Sequence, residues 1–83
     1  MDTLQAIIDR LNELIERQGT NPNALSNQAG VPQATIKSIL NHESRNPGII
    51  TLKKICDGFE NPRISLADFF DTDTFRNLEQ EMD

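Results

Sequence analysis

Apolar residues recur every three or four positions along most of this 83-residue chain, which is the spacing of one face of an α-helix. The first such stretch predicts a helix over about residues 3–17. Its apolar face consists of Leu4, Ile7, Ile8, Leu11, Leu14 and Ile15. Asp2 can cap this helix in a capping box with Gln5, and Gly19 can end it. No stretch alternates as a strand would, so the pattern predicts an all-α fold.

Two shorter helical patterns follow, and Gly30 separates them. Asn21 can cap the first, and Pro22 suits its first position because proline has no N–H to lose there. Gly30 can adopt the left-handed conformation that lets the chain turn sharply, which places Val31 between the two helices. A second proline precedes the next helix, which we expect to begin at Gln33.

The helix after this turn divides into an apolar and a polar arc when its residues are placed about 100° apart. The apolar arc holds Ile36, Ile39 and Leu40. The opposite arc holds Gln33, Ala34, Lys37, Ser38 and Asn41. Most of these side chains are short enough to let a helix backbone approach a ligand closely, and glutamine can form two hydrogen bonds with an adenine edge. The polar arc therefore suggests a surface that reads DNA.

Two further patterns complete the predicted domain. Residues 49–59 predict a fourth helix, with Leu52, Ile55, Cys56 and Phe59 on one stripe. Ser65 and Asp68 have the spacing of a capping box at the start of a fifth helix. Phe69 and Phe70 of this helix would close the hydrophobic core from the far end.

We expect residues 1–70 to form one compact five-helix domain, followed by an acidic tail over residues 71–83. In the tail, Phe75, Leu78 and Met82 fall three and four positions apart, as on one face of a short helix. This face could pair with a second subunit. Alternatively, the tail frays in solution or lays Phe75 back on its own core.

The formal charge of −5 is concentrated at the C-terminal end. Acidic and basic residues balance over residues 1–66, so the whole net negative charge comes from residues 67–83. Between residues 18 and 56, four bases stand against one acid, for a local charge of +3: Lys37, Arg45, Lys53 and Lys54 against Glu43. Because phosphate attraction supplies much of the affinity of DNA-binding proteins, this modest positive charge predicts a shallow salt dependence.

Together these residues resemble the helix-turn-helix motif of the phage repressor and Cro group, the XRE family. The motif consists of Leu25, of Ala29-Gly30-Val31, and of the isoleucines six and nine positions after the glycine. The resemblance continues through three further segments: Arg45-Asn46-Pro47, residues 51–55 and residues 65–70. It covers about residues 4–70 and implies a compact five-helix fold like that of lambda repressor.

The resemblance, together with the polar arc, implies which residues contact DNA. The expected base contacts are Gln33, Ala34, Lys37 and Ser38. Of these, Gln33 would bond an adenine and Ala34 would pack on a thymine methyl group. The expected backbone contacts are Asn23, Thr35, Asn41, Arg45 and Asn46. The alternative is that these short polar residues form a solvated surface with no ligand.

Four positions depart from the usual pattern of the family. Ser26 stands where alanine is common, so its hydroxyl needs a partner such as a carbonyl one turn back. Pro32 replaces a common capping serine or threonine, which removes one expected phosphate contact. His42 and Glu43 replace a glycine and a basic residue, which predicts a weaker clamp on the DNA backbone.

The pattern predicts a sequence-specific DNA-binding transcriptional regulator, most simply a repressor that occludes polymerase. In analogy to the family, it would bind a near-palindromic operator on double-stranded DNA as a homodimer. Either the region of the fourth and fifth helices, around Ile49, Ile50 and residues 62–70, or the tail stripe could form the dimer surface. The alternative is a protein-interaction module or antitoxin-like partner that keeps the fold without reading DNA. The lack of bulky apolar groups on the polar arc favours DNA.

Nothing in the sequence indicates a catalytic site, a cofactor site or a membrane-spanning segment. A single histidine, His42, and a single cysteine, Cys56, cannot form a metal cage, and no phosphate-binding glycine loop or nucleophile motif occurs. No apolar stretch approaches the roughly 18 residues that span a bilayer, and no basic leader precedes an apolar run. We expect a cytoplasmic protein without a cofactor or bound metal.

Overall fold

The computed structural model describes residues 1–79, which form six α-helices. In chain order these are α1 (Thr3–Arg17), α2 (Pro22–Ala29), α3 (Gln33–Leu40), α4 (Ile49–Gly58), α5 (Leu66–Phe70) and α6 (Asp73–Arg76). Within the described residues, the one strand-like pairing is an isolated β-bridge between Glu60 and Arg63. The predicted all-α fold is confirmed. The sixth helix, α6, lies in the tail, where the sequence indicated a short helix as one possibility.

The start of α1 forms only half of the predicted capping box. Asp2 Oδ1 accepts a hydrogen bond from the backbone N–H of Gln5 at 2.8 Å. The reciprocal bond is not made, because the side chain of Gln5 donates to Asp9 Oδ1 at 2.8 Å and contacts His42 Nε2 at 2.7 Å. The expectation of a complete capping box is therefore wrong. Gln5 instead links α1 to the loop that follows α3.

Gly30 makes the turn between α2 and α3, as predicted. Its φ of 70° lies in the left-handed region. The Ser26 carbonyl accepts hydrogen bonds from the N–H groups of Gly30 at 3.0 Å and Val31 at 3.1 Å. The buried hydroxyl of Ser26 donates to the Asn23 carbonyl at 2.7 Å, which is the kind of partner that the sequence required.

Residues from each of the helices α1, α2, α3, α4 and α5 contribute to one hydrophobic core. Its most deeply buried members are Leu11, Leu14, Leu25, Ile36, Ile39, Ile55, Cys56, Phe59 and Phe69. α2 packs chiefly on α4, where a Cβ added to Gly58 would lie 2.8 Å from the Cβ of Ala29. Glycine therefore permits this close approach of the two backbones. α4 ends at Gly58, one residue before its predicted end, and Phe59 continues in an extended conformation with its ring in the core.

Arg10 of α1 links this helix to α5 through hydrogen bonds. Its side chain is only 10% exposed, and Nη1 pairs with Glu13. Nε donates to the Phe69 carbonyl and Nη2 to the Asp68 carbonyl, both at 2.9 Å. These carbonyls lie at the end of α5, where a helix leaves its acceptors unpaired. The predicted capping box of α5 is complete, and the hydrogen bonds from the backbone and hydroxyl of Ser65 lower the pKa of Asp68.

Phe75 of α6 packs on the end of the core. Its ring centroid lies 4.9 Å from that of Phe70, in a T-shaped arrangement, and 6.1 Å from that of Phe69. Of the possibilities that the sequence left open for the tail, this contact is the one in which Phe75 lies back on its own core. Met82, the last residue of the predicted tail stripe, lies outside the described residues.

Candidate nucleic-acid interface

α3 buries one face and presents the other. Ile36 and Ile39 are 0% and 1% exposed, and Leu40 packs partly buried against the core. The opposite face carries the four predicted base contacts, of which Ala34 and Lys37 are exposed and Gln33 and Ser38 are half-buried. Within residues 1–79, these four side chains make no hydrogen bond or ion pair, so they remain available to a ligand.

The first turns of α2 and α3 carry two of the predicted backbone contacts. Asn21 caps α2 as predicted, since its Oδ1 accepts from the Ala24 N–H at 2.8 Å, and Asn23 is exposed in the turn that follows. Pro32 precedes α3 without any side-chain cap, and Thr35 lies half-buried in its first turn. The backbone N–H of Asn23 has no partner among the described residues, which suits it to a phosphate oxygen. The N–H of Thr35 already donates to the Pro32 carbonyl at 3.0 Å, so Thr35 can offer only its hydroxyl.

α3 ends in a left-handed residue that is not glycine. His42 has a φ of 63°, and it is the one non-glycine residue with positive φ among those described. The N–H of Glu43 donates to the Ser38 carbonyl at 2.8 Å, and that of His42 donates to the Ile39 carbonyl at 3.2 Å. This is the Schellman pattern, in which glycine is usually preferred at the left-handed position. The left-handed backbone at this position therefore explains why the XRE family often has glycine where this chain has His42.

The loop between α3 and α4 carries the remaining predicted backbone contacts. Asn41, Arg45 and Asn46 are all exposed. Arg45 and Asn46 line one side of a groove whose other side is the start of α1, including Asp2 and Leu4. The loop is therefore a ridge beside α3 with polar side chains directed away from the core.

The positive charge of this segment is only partly available to phosphates. Lys53 is bound to Asp57 at 2.6 Å, which neutralises it locally. Lys37, Arg45 and Lys54 are exposed and have no carboxylate partner among the described residues. These three residues carry the charge that could attract a DNA backbone.

Two features near this surface were missed by sequence reasoning. The bond between Gln5 and His42 joins residues 37 positions apart, so no local pattern predicts it. The sequence did single out His42, because the family often has glycine there, but it did not indicate that Gln5 would be its hydrogen-bond partner. The sequence counted Lys53 and Lys54 alike in the positive charge of residues 18–56, but it did not show that Lys53 is paired with Asp57 while Lys54 has no carboxylate partner among the described residues.

The described residues bear on three other kinds of function, namely metal binding, thiol chemistry and membrane insertion. They contain no group of three or more His, Cys, Asp or Glu side chains that could hold a metal ion. Burial raises the pKa of the Cys56 thiol to about 11, so Cys56 is a neutral core side chain rather than a nucleophile. None of the helices over residues 1–79 is long and apolar enough to cross a membrane.

A comparison with known protein families agrees with the arrangement of α2 and α3. The family model of the Cro/C1-type HTH DNA-binding domain matches residues 10–73. The match begins within α1, includes α2, α3, α4 and α5, and ends at the first residue of α6. Searches of curated proteins and of solved structures found no match. The resemblance read from the sequence is confirmed: the chain belongs to the family of Cro/C1-type helix-turn-helix DNA-binding domains.

Proposed function

We propose that this protein is a sequence-specific transcriptional regulator that places α3 in the major groove of double-stranded DNA. The observation that carries the proposal is the outward face of α3, whose short polar side chains have no partner within the described residues. A helix with this face can bring side chains to base edges, while its buried isoleucines hold it on the domain. Occupation of an operator would repress transcription by excluding polymerase.

The proposed base contacts follow from the chemistry of the α3 side chains. Gln33 can accept from N6–H and donate to N7 of adenine, and Ala34 can pack on the methyl group of thymine. Lys37 can donate to guanine or to a phosphate oxygen, and the Ser38 hydroxyl can donate or accept. Specificity would therefore reside in residues 33–38 of α3.

The proposed backbone contacts surround α3. Asn23 and Thr35 lie in first helical turns. Asn23 can offer its main-chain N–H and its side-chain amide, whereas Thr35 can offer its hydroxyl, because its N–H is bonded to Pro32. Asn41, Arg45 and Asn46 are exposed in the loop after α3. These contacts would fix the register of the domain on the duplex without reading its sequence.

We further propose that the protein binds its operator as a homodimer through the start of α4. Ile49 and Ile50 are 59% and 72% exposed, and Met1 is the other large apolar residue that is exposed among those described. Phe75 of the tail stripe, which is the other candidate dimer surface, already packs on Phe70 of its own subunit. Burial of the two isoleucines against a second copy would remove apolar surface from water. The two α3 helices would then read half-sites about 34 Å apart in a near-palindromic operator.

The test is selection of bound duplexes from a randomised DNA library at about 0.1 M salt, followed by sequencing. We expect enrichment of an inverted repeat. Lys37→Glu should abolish the enrichment because it places a carboxylate against the duplex. Arg17→Glu changes the net charge equally but lies at the end of α1, so its enrichment should match that of the parent.

Failure of a folded parent protein to enrich any motif would contradict the proposal. Helicity measured by circular dichroism would establish that the protein was folded. The function would then be that of a protein-interaction module or antitoxin-like partner that keeps the fold without reading DNA.

A further inference from the structure

The imidazole of His42 is held by a chain of side-chain hydrogen bonds that the contacts proposed above do not use. The backbone of His42 is left-handed, with a φ of 63°. This conformation is unfavourable for most residues other than glycine, although histidine adopts it more readily than most. The Schellman hydrogen bonds at the end of α3 account for this conformation, and they fix the position from which the side chain of His42 extends.

The hydrogen bonds of Gln5 determine which nitrogen of His42 carries the proton. The amide nitrogen of Gln5 donates to Asp9 Oδ1 at 2.8 Å, because an ionised carboxylate can only accept. Gln5 Oε1 is therefore the atom that lies 2.7 Å from His42 Nε2. An amide oxygen is an acceptor, so Nε2 must be the donor. In the neutral side chain, the proton is on Nε2 and Nδ1 is the basic nitrogen.

Charged groups of both signs lie near His42. From α1, Asp9 acts through Gln5, and the carboxylate of Asp2 lies on the same groove as His42. From the loop, Glu43 is the next residue, whereas Arg45 on the groove opposes a positive charge on the ring.

We propose that His42 is a further contact to the DNA backbone and binds a phosphate as the imidazolium cation. Gln5 and Asp9 position the ring by holding Nε2–H. Nδ1 takes up a proton from solvent when the complex forms, and its new N–H donates to a phosphate oxygen. The inference rests on the proposed DNA-binding function, because His42 lies between Asn41 and Arg45 in the contact loop. It offsets the loss of the basic residue that Glu43 replaces.

The first test uses the fact that His42 is the single histidine of the chain. Protein labelled with ¹⁵N in its imidazole gives one pair of ring-nitrogen signals. At pH 8 without DNA, we expect the Nε2–H tautomer. Addition of the selected operator duplex at pH 7 should shift both nitrogens to the values of an imidazolium. An Nδ1–H tautomer, or a ring that stays neutral with DNA bound, would overturn the proposal.

The second test compares operator binding by the parent and His42→Asn at pH 6 and pH 8. Asparagine tolerates the left-handed backbone but cannot become a cation. We expect the parent to gain roughly fivefold to tenfold in affinity at pH 6 relative to the variant, because one charged hydrogen bond forms. The salt slope of the variant should be smaller by about 0.9 at pH 6 and unchanged at pH 8. Other titrating groups are common to both proteins, so the difference isolates the imidazole.

His42→Gly provides a second variant in which the backbone conformation is fully permitted, and it should behave like His42→Asn. Gln5→Met keeps the length of the side chain but removes the acceptor, so its free protein should lose the preference for the Nε2–H tautomer. Parallel pH profiles for the parent and both His42 variants, with DNA still bound, would overturn this inference alone. Absence of DNA binding by the parent would overturn the proposed function and this inference together.

Discussion

At the scale of residues, the proposed interface separates side chains that read bases from side chains that hold phosphates. Gln33 belongs to the first group, because its amide offers a donor and an acceptor on the outward face of α3. Arg45 belongs to the second group, because it is exposed in the loop and has no carboxylate partner among the described residues. The two groups predict different responses to substitution.

Gln33→Ala should relax base preference at one position of each half-site, because alanine cannot form the paired hydrogen bonds with adenine. The expected loss of discrimination is about 1–3 kcal/mol at that position. Competition between the operator and duplexes with single base changes would measure it. Asn12→Ala, at an exposed position on α1, should leave the profile unchanged. A profile for Gln33→Ala identical to that of the parent would rule out its role in base reading.

Arg45→Ala should weaken binding to all duplexes about equally, since a phosphate contact carries no sequence information. The slope of log affinity against log salt should fall in magnitude by about 0.9. Fluorescence anisotropy titrations at several salt concentrations would measure both effects. Arg17→Ala removes the same charge from α1 and should leave the slope near the parental value. A changed ranking of operator variants would mean that Arg45 reads bases instead.

At the scale of elements, the position of α3 depends on how closely α2 packs on α4. A Cβ on Gly58 would meet the Cβ, N and Cα of Ala29 at 2.8, 2.9 and 3.0 Å. Backbone atoms cannot move aside as a flexible side-chain end can. α2 also packs on α3, so a shift of α2 would displace α3.

Gly58→Ala should therefore destabilise the domain by about 1–3 kcal/mol through overpacking. Chemical denaturation, followed by circular dichroism, would measure the free energy of unfolding. Gly48→Ala adds the same methyl group where no atom lies within 4 Å. As a change at the start of α4, it should cost less than about 1 kcal/mol. Equal costs for the two variants would show that the α2–α4 contact relaxes freely.

At the scale of the whole molecule, the proposed dimer and the distribution of charge bear on how the domain would bind its operator. Two exposed isoleucines per subunit supply far less than the roughly 1,200 Å² that a stable interface buries. We therefore expect a weak association in solution that becomes effective when both subunits share one operator. Residues 1–66 are neutral overall, because the net negative charge comes from residues 67–83. Between residues 18 and 56, the cations without a carboxylate partner are Lys37, Arg45 and Lys54.

Ile50→Glu should reduce affinity for the full operator by about tenfold or more, because burial of an isoleucine contributes about 1.5–3 kcal/mol. Affinity for an isolated half-site should change no more than in Ala67→Glu, which adds the same charge at an exposed position of α5. Glutamate is acceptable in the first turn of α4, so the fold should persist. Titrations on full and half operators would separate these effects. Loss of cooperativity in Ala67→Glu alone would place the dimer surface on α5.

Much of the fold could be predicted from the sequence because its signals act over a few residues. The left-handed turn at Gly30, the cap of Asn21 on α2 and the capping box of Ser65 with Asp68 each join groups no more than five positions apart. The same holds for the hydroxyl of Ser26, which finds its carbonyl three residues back. The arcs of α3 follow from helical geometry, so the candidate reading face was already determined at this level.

The remaining features depended on contacts between distant parts of the chain. The sequence by itself determined the helices, their caps, the turn and the polar face of α3, because hydrogen bonding and periodicity within a few residues specify them. Only the tertiary structure decided that Gln5 turns from its own capping box to His42, and that Arg10 bonds the end of α5, 59 positions away. It likewise decided that Ala29 packs directly against Gly58 and that the ring of Phe75 packs on that of Phe70. In each case several partners were chemically acceptable, and the packing of the core determined which of them came within reach.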